Sequence, residues 1–451
     1  MSEHADLNRL RSEGDLNISP RRAAWAAEHI GPETQRWLEE DAKVFLHQSL
    51  STPCLNVLQG CEGAHIEDLE GRRILDFHGN NVHQVGFSNP RVIEAVTEQM
   101  QRLSFCTRRY TNLPVIRLAQ KLTALAPGDL NKVLFAPSGT AAIGMALKLA
   151  RAVTGRHKTI SMWDSFHGAS LDAISVGGEA IFRKDMGPFL PGTEHVPPPD
   201  PTGCPFCEGT CTLKCADYVD YVLEKEGDVG AVIAETVRST PFIPPPDYWK
   251  RIRAACDRHG ALLILDEIPT CLGRTGTFYA FEHYGIIPDM VCIGKGLGGG
   301  IFPLAALIAR EGLDVMPDRA LGHYTHEKNP VACAAALAAI ACIEEEDLLE
   351  HTERMGAYAL DRLHALQAQY TLIADVRGLG LMLGVELRRP GSGERAMDEA
   401  EQIMYSALRR GLSFKLTMGN ILTLTPALTI TQEEMDGALG ILEVCFEELG
   451  G

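Results

Sequence analysis

The chain has 451 residues, of which 45% are hydrophobic and 22% are charged, a balance typical of a globular protein large enough for two domains. Its formal net charge of −17 and the lack of any run of basic residues argue against binding to nucleic acid. No apolar stretch reaches the roughly 18 residues of a membrane span, which predicts no membrane partner. The polar, acidic start of the chain is unlike a targeting peptide, so the sequence predicts a cytoplasmic protein.

The sequence of residues 1–50 is polar and has a helical pattern. Its amphipathic stretch at 33–50 predicts a helix that covers a subunit surface. Short strands are predicted between residues 57 and 75. Further along, Arg108 and Arg109 form a pair of guanidinium groups that suits a carboxylate or phosphonate, although a surface or subunit contact explains the pair equally well.

A strand, a Ser-Gly-Thr turn and a long helix are predicted by KVLFAPSGTAAIGMALKLAR, residues 132–151. The first amides of such a helix have no partner within the helix, so they suit a phosphate group, although the motif alone is weak. Two later strands, in TISMWDSFHGAS and GAVIAETVRS, complete this part of the chain. The second ends at Glu235, which we expect at the carboxyl edge of a parallel sheet, where ligands bind in such folds.

The thirteen cysteines are an odd number, and most stand singly in apolar strings, which is typical of buried thiols in a reducing compartment. The string CPFCEGTCTLKC is denser and suits a structural zinc ion, although its spacing differs from paired CxxC knuckles. Loop cysteines without a metal also fit, so we predict no metal site and keep zinc as the alternative. The four residues concerned are Cys204, Cys207, Cys211 and Cys215.

The segment from residue 261 to residue 300 contains two apolar runs, one ending at Asp266 and the other leading to Lys295 and a glycine-rich turn. A buried acid and an accessible lysine at strand ends are what pyridoxal phosphate requires. The lysine binds the cofactor aldehyde, and the acid keeps the pyridine nitrogen protonated. Taken alone, the two residues also fit a loop cap and a surface lysine.

The strings DEIPTCLGRTG and IGKGLGGG closely resemble the class III aminotransferase family, and the similarity runs from about Leu55 to Glu448. The resemblance implies an α/β fold of fold-type I. A large domain, residues 76–330, would hold a mostly parallel seven-stranded sheet between helices. Residues 1–75 and 331–451 would form a smaller α+β domain. The resemblance also implies pyridoxal 5′-phosphate as the cofactor and a homodimer with shared active sites.

The family pattern assigns the covalent link to the cofactor to Lys295, the contact with the ring nitrogen to Asp266, and a further catalytic place to Glu235. Within this pattern an aromatic residue stacks on the cofactor ring, and a threonine reaches the cofactor phosphate from the partner subunit. The other cofactor-binding positions implied by the resemblance are Ser138, Gly139, Thr140, Phe166, His167, Ile268 and Thr325.

Several positions depart from the family pattern. Ala141 and Ile143 replace a glutamate and an asparagine near the phosphate turn. Pro269 replaces a glutamine that contacts the ring hydroxyl, and a proline cannot donate that hydrogen bond. Thr423 stands where many members carry an arginine that binds the substrate α-carboxylate. Without that cation an ordinary α-amino acid is disfavoured as the main substrate.

The resemblance implies an enzyme that removes the amino group of a small anionic primary amine. The strings STPCL, LDFHGNN, FHGAS, DEIPT and HYTHEKNP, with the lost arginine, resemble a phosphonate-degrading subgroup that eliminates ammonia from an amine without a carboxylate. Transamination of an ω-amine or aminophosphonate with a keto acid is the alternative. The candidates for the substrate mouth are His78, Asn81 and His83, and those for binding the substrate anion are Arg108, Arg109, Lys328 and Lys415.

Overall fold

The computed structural model describes residues 19–48, 50–200, 203–207 and 211–450. The chain forms two compact units, one consisting of the chain up to Asn89 and from His351 onward, the other of Pro90–Glu350. These boundaries differ from the expected 75/76 and 330/331. The reason at the first boundary is hydrogen bonding, because the amide of Phe77 donates to the carbonyl of Ser413, and the amide of Leu428 donates to that of Gln84.

The strands of the described residues, in chain order, are β1 (Leu58–Glu62), β2 (His65–Asp68), β3 (Arg73–Asp76), β4 (Leu130–Ala136), β5 (Lys158–Met162), β6 (Thr193–Val196), β7 (Val229–Glu235), β8 (Leu262–Asp266), β9 (Met290–Ile293), β10 (Ala305–Arg310), β11 (Ile373–Leu379), β12 (Met382–Leu387), β13 (Leu412–Ser413), β14 (Lys415–Thr417) and β15 (Ile421–Leu424).

The α-helices are α1 (Pro20–His29), α2 (Pro32–Val44), α3 (Pro90–Arg102), α4 (Leu113–Leu125), α5 (Gly139–Thr154), α6 (Leu171–Val176), α7 (Ala180–Arg183), α8 (Lys214–Glu226), α9 (Tyr248–His259), α10 (Pro330–Glu345), α11 (Leu348–Gln369), α12 (Met397–Arg409) and α13 (Gln432–Glu448). Short 3-10 helices occur at Gly79–Asn81, Ala280–Tyr284, Lys295–Gly298 and Glu311–Leu313. Across the described ranges, none of the helices has both the length and the apolar character that crossing a membrane demands.

The second unit contains a seven-stranded sheet in the order β4-β10-β9-β8-β7-β5-β6. Strand β10 runs antiparallel to both of its neighbours, whereas β9, β8, β7, β5 and β6 pair in parallel. Every residue of β7 and β9 is buried, as expected for strands with both faces covered. The sequence prediction of a mostly parallel seven-stranded sheet is therefore confirmed.

Helix α5 packs into the core of this unit, and its buried side chains cluster with Ile233 of β7, Ile264 of β8 and Leu307 of β10. Its N-terminus follows directly on β4, with Ser138 as the N-cap. Because only two residues separate the end of β4 from the start of α5, the Ser-Gly-Thr turn lies at the end of the sheet.

The first unit contains two four-stranded sheets, β1-β2-β3-β13 and β11-β12-β15-β14. The second of these is antiparallel throughout, and in the first β13 pairs in parallel with β3. Helix α13 begins with a capping box in which Thr431 and Glu434 satisfy each other's backbone amides. This unit is the smaller α+β part that the sequence predicts.

Candidate active site

Two carboxylates and the lysine follow the carboxyl ends of adjacent strands. In the register of β7 and β8, Glu235 pairs with Asp266, and in the register of β8 and β9, Asp266 pairs with Cys292. Lys295 comes three residues after Cys292, just beyond the end of β9. This register confirms the prediction that Glu235 and Asp266 lie at the carboxyl ends of parallel strands and that Lys295 follows a strand end.

Asp266 is only 2% exposed, and both of its oxygens have partners. Nδ1 of His167 donates to Oδ2 at 2.8 Å, and the amide of Ile268 donates to Oδ1 at 3.1 Å. His167 is 1% exposed, and its Nε2 has no partner among the described residues. A histidine hydrogen-bonded to a buried carboxylate fixes the orientation of that carboxylate.

Glu235 is also buried, and its contacts are with backbone amides. Oε1 accepts the amide of Phe166 at 3.1 Å, and Oε2 accepts the amide of Ser239 at 3.2 Å. The carboxylate therefore holds the turn after β5 against the turn after β7, and so positions the ring of Phe166. A catalytic place for Glu235 remains a prediction.

Lys295 opens the 3-10 turn with a φ of 50°, in the left-handed region that few non-glycine residues adopt. Such strain is a feature of functional positions, where the surrounding structure enforces it. Glycines on nearby elements leave room for Ile268, since a Cβ on Gly139 would lie 2.7 Å from Cδ1 of Ile268, and one on Gly294 would lie 3.3 Å from its Cγ2. Ile268 thus contacts both the Ser-Gly-Thr turn and the residue before Lys295.

The N-terminus of α5 meets the turn that follows β5. The hydroxyl of Ser138 caps the helix by accepting the amide of Ala141, and the hydroxyls of Thr140 and Ser170 hydrogen-bond to each other. Gly168 approaches this turn so closely that a Cβ would lie 2.5 Å from Cβ of Thr140. The predicted phosphate-binding residues are therefore brought beside the segment that contains Phe166 and His167.

The segment from Leu321 to Asn329 carries the remaining candidates of this unit. Thr325 is exposed. Arg108 lies 3.4 Å from the carboxylate of Glu327, measured from Nε to Oε1, and it also contacts His323. The charge of Arg108 is thus already compensated by an acid, which makes it a weaker candidate for binding a substrate anion.

The mouth candidates of the first unit surround Asp76. Its carboxylate accepts the amides of His78 and Gly79 at 3.0 and 2.9 Å, and burial raises the pKa of Asp76 to about 6. His83 is buried and stacks on Phe87 with ring centroids 4.8 Å apart. Contact of His78, Asn81 and His83 with the substrate remains a prediction.

Thr423 is 3% exposed, and its hydroxyl lies 2.7 Å from that of Thr417. The two hydroxyls satisfy each other, and the position carries no charge. Lys415, the other anion-binding candidate of this unit, is half-buried at the start of β14.

The clustered cysteines differ from one another in chemical environment. The pKa of the Cys207 thiol is lowered to about 7 by the hydroxyl and amide of Thr212, which lie 3.3 and 3.4 Å from its sulfur. Burial raises the pKa of Cys215 to about 12. Within the described ranges, no group of three or more His, Cys, Asp or Glu side chains is placed to hold a metal ion.

Two charged residues at the same sheet edge were missed by the sequence interpretation. Glu267, directly after Asp266, is fully buried, and its oxygens accept hydrogen bonds from the hydroxyl of Thr236 and from two backbone amides. Arg238, three residues after Glu235, is 4% exposed. The signal that could have identified both is a charged residue within three positions of the carboxyl end of a buried parallel strand.

Comparisons with known proteins agree with this geometry. The aminotransferase class-III family profile matches residues 48–446. An (R)-1-hydroxy-2-aminoethylphosphonate ammonia-lyase of Vibrio splendidus is 48% identical over 96% of this chain and 94% of its own length. A leucine/methionine racemase of Thermococcus litoralis is 38% identical over 90% of this chain and 94% of its own length.

Among solved structures, an (S)-enantioselective omega-transaminase from Thermomicrobium roseum superimposes with a TM-score of 0.86 at 29% identity, covering 92% of this chain and 99% of the other. Sequence and structure comparisons thus agree over nearly the whole chain. The chain belongs to the class III aminotransferase family.

Proposed function

We propose that the protein is an enzyme that uses pyridoxal 5′-phosphate, bound by Lys295 and Asp266. The residues present fit this cofactor. Asp266 is a buried carboxylate oriented by His167, and the N-terminus of α5 offers amides to a phosphate. Phe166 is 40% exposed, so its ring has a free face for stacking on a flat ligand.

When bound, pyridoxal phosphate supplies an electron sink that makes the carbon beside an amine acidic. Lys295 is the base that removes a proton from this amine-bearing carbon. Asp266, with its carboxylate oriented by His167, stabilises positive charge on the pyridine nitrogen. Glu235 keeps Phe166 in place through the backbone amide of that residue.

We propose elimination as the reaction, with (R)-1-hydroxy-2-aminoethylphosphonate as the substrate. The hydroxyl of the adjacent carbon leaves as water, and subsequent hydrolysis returns a water, so that the net products are phosphonoacetaldehyde and ammonia. The observation that carries this proposal is Thr423, a neutral residue paired with Thr417 where many family members carry a carboxylate-binding arginine. The 48% identity to an ammonia-lyase of this name supports it.

Transamination is the second candidate. In this reaction Lys295 and Asp266 would hold the same cofactor, which would keep the amine when the donor is released by hydrolysis as its carbonyl product and would then pass the amine to a keto acid such as pyruvate. The similarity in fold to an omega-transaminase favours this alternative. An ω-amine or an aminophosphonate without an α-carboxylate would then be the donor.

A homodimer and a cytoplasmic location belong to the same proposal. Thr325 is exposed in a segment whose family counterpart reaches the neighbouring subunit. All thirteen cysteines are free, and most are buried, which is typical of a reducing compartment. Breakdown of phosphonates is the metabolic role that the proposed substrate implies.

The proposal is tested by incubating purified, cofactor-loaded enzyme with racemic 1-hydroxy-2-aminoethylphosphonate and no keto acid. Ammonia and the visible absorbance of the cofactor are followed together. Elimination predicts ammonia over many turnovers with the absorbance retained. A halt after one turnover, relieved by pyruvate, would contradict elimination and establish transamination.

A further inference from the structure

We propose that Arg238 and Thr240, in the turn that follows β7, bind the phosphonate of the substrate. This inference rests on the proposed function and adds to it the residues that recognise the anion. The turn runs from Arg238 to Phe242 and is closed by a hydrogen bond from the amide of Arg238 to the carbonyl of Phe242, at 3.2 Å.

The side chain of Arg238 is buried, and it forms no ion pair with any residue that the structure describes. It is 4% exposed. Its Nη2 donates a hydrogen bond to the carbonyl of Asp164, and its Cζ lies 5.2 Å from the ring centroid of Phe242. Nε and Nη1 have no hydrogen-bond partner within the described part of the chain. A buried cation without a counter-charge is costly, so an anionic ligand is expected to compensate it.

Thr240 provides a second, independent sign of an incomplete site. It is also 4% exposed, and its Oγ1 lacks a hydrogen-bond partner among the residues that the structure describes. Buried hydroxyls are normally hydrogen-bonded. The turn therefore holds donors on two side chains, all within three residues.

These donors belong to the site already described. Asp164, whose carbonyl accepts from Arg238, lies two residues before Phe166, whose amide donates to Glu235. Ser239, between Arg238 and Thr240, donates its own amide to the other oxygen of Glu235. The turns after β5 and β7, which hold Phe166 and Glu235, are thus the same turns that hold Arg238.

The arrangement favours a phosphonate over a carboxylate. The guanidinium of Arg238 supplies a charged donor, and the hydroxyl of Thr240, two residues further along the turn, supplies a second donor. A tetrahedral group with three oxygens can accept from donors that converge from several directions, whereas a planar carboxylate offers two oxygens in one plane. Arg238 thus offers a cation for the substrate anion in a chain that has threonine, and not the family's arginine, at position 423.

The test measures the affinity of cofactor-loaded enzyme for methylphosphonate by calorimetry, in the wild type, Arg238→Gln and Thr240→Val. We expect Arg238→Gln to weaken binding at least about tenfold, because a charged donor is lost, and Thr240→Val about threefold. Thr240→Val removes a hydroxyl that has no partner among the described residues, so its unfolding temperature and cofactor absorbance should match those of the wild type. Acetate should bind more weakly than methylphosphonate.

Arg310→Gln is the matched control. Arg310 lies at the opposite edge of the sheet, where its side chain donates to the carbonyls of Ile287 and Pro288, so methylphosphonate binding should not change. Wild-type affinity in both Arg238→Gln and Thr240→Val, or no binding by the wild type, would overturn the inference.

Turnover separates this inference from the proposed function. With the aminophosphonate, Arg238→Gln should raise KM at least about tenfold while kcat changes less. If the enzyme binds methylphosphonate but releases no ammonia from the aminophosphonate, the proposed function is contradicted and the anion site at Arg238 and Thr240 is supported. If Arg238→Gln releases ammonia with an unchanged KM, the anion site is contradicted and the proposed function is supported.

Discussion

At the scale of single residues, Asp266 depends on His167 for its one side-chain hydrogen bond among the described residues. We predict that His167→Phe lowers the affinity for pyridoxal phosphate at least about tenfold, because a hydrogen bond to a buried charged group contributes about 1.5–3 kcal/mol. Titration of apoenzyme with cofactor, followed by visible absorbance, measures this affinity. His157→Phe, at an exposed position, is the control, and equal affinities in both variants would show that His167 does not orient Asp266.

The residues that the sequence identified are those whose place follows from local pattern. An apolar run that ends in a charged residue places that residue at a strand end, which was sufficient for Glu235, Asp266 and Lys295. The hydrogen bond between His167 and Asp266 could not be predicted in this way, because it joins residues 99 positions apart. Arg238 was missed for the same reason, since its burial depends on the turn after β5 and not on its own neighbours in the sequence.

At the scale of elements, the close approach of the turn after β5 to the N-terminus of α5 holds the predicted phosphate site together. Gly168 has a φ of 120°, and a Cβ there would lie 2.5 Å from the side chain and 2.9 Å from Cα of Thr140. We predict that Gly168→Ala destabilises the fold by about 2–4 kcal/mol and weakens cofactor binding, because the two elements must separate.

Gly155→Ala provides the control for Gly168→Ala. Gly155 ends α5 with a φ of 68°, but a Cβ added there would meet no atom within 4 Å beyond its adjoining residues in the described part of the chain. The free energy of unfolding of this variant should fall by only about 1 kcal/mol, because of backbone strain, and its affinity for the cofactor should not change. Urea denaturation and cofactor titration compare the two variants, and equal losses in both would contradict the role given to the close approach.

The succession of strands and helices could largely be predicted, because apolar runs and helical periodicity are local signals. The sequence predicted an apolar strand that ends at Asp266, and β8 confirms it. The limits of the two units could not be predicted in the same way. They depend on which distant strand accepts a hydrogen bond, as Ser413 does from Phe77.

At the scale of the whole molecule, Glu267 couples stability to pH. Burial raises its pKa from 4.5 to about 7, so between these values the folded protein holds a proton that the unfolded chain has released. Stability from this group is therefore present at low pH and is lost as pH rises through about 7. A shift of this size corresponds to a change on the order of 3 kcal/mol.

Glu267→Gln isolates this contribution, since glutamine does not titrate. We predict that the free energy of unfolding of the wild type, relative to Glu267→Gln, increases as the pH falls from about 8 to about 5. Urea denaturation of both proteins at several pH values measures the difference. A constant or decreasing difference would contradict a raised pKa at Glu267.

The proposed homodimer makes a prediction that only an assembly of two chains can satisfy. If Thr325 serves the partner's site, a mixed dimer of Lys295→Ala and Thr325→Ala chains has one site with both defects and one with neither. Differently tagged chains, co-expressed and purified as the mixed dimer, should then show about half of the wild-type activity at limiting cofactor. Each variant alone should be inactive or weak, the first for lack of the lysine and the second for loss of a phosphate contact. If Thr325 instead serves its own subunit, each site of the mixed dimer carries one defect, and its activity cannot exceed that of Thr325→Ala.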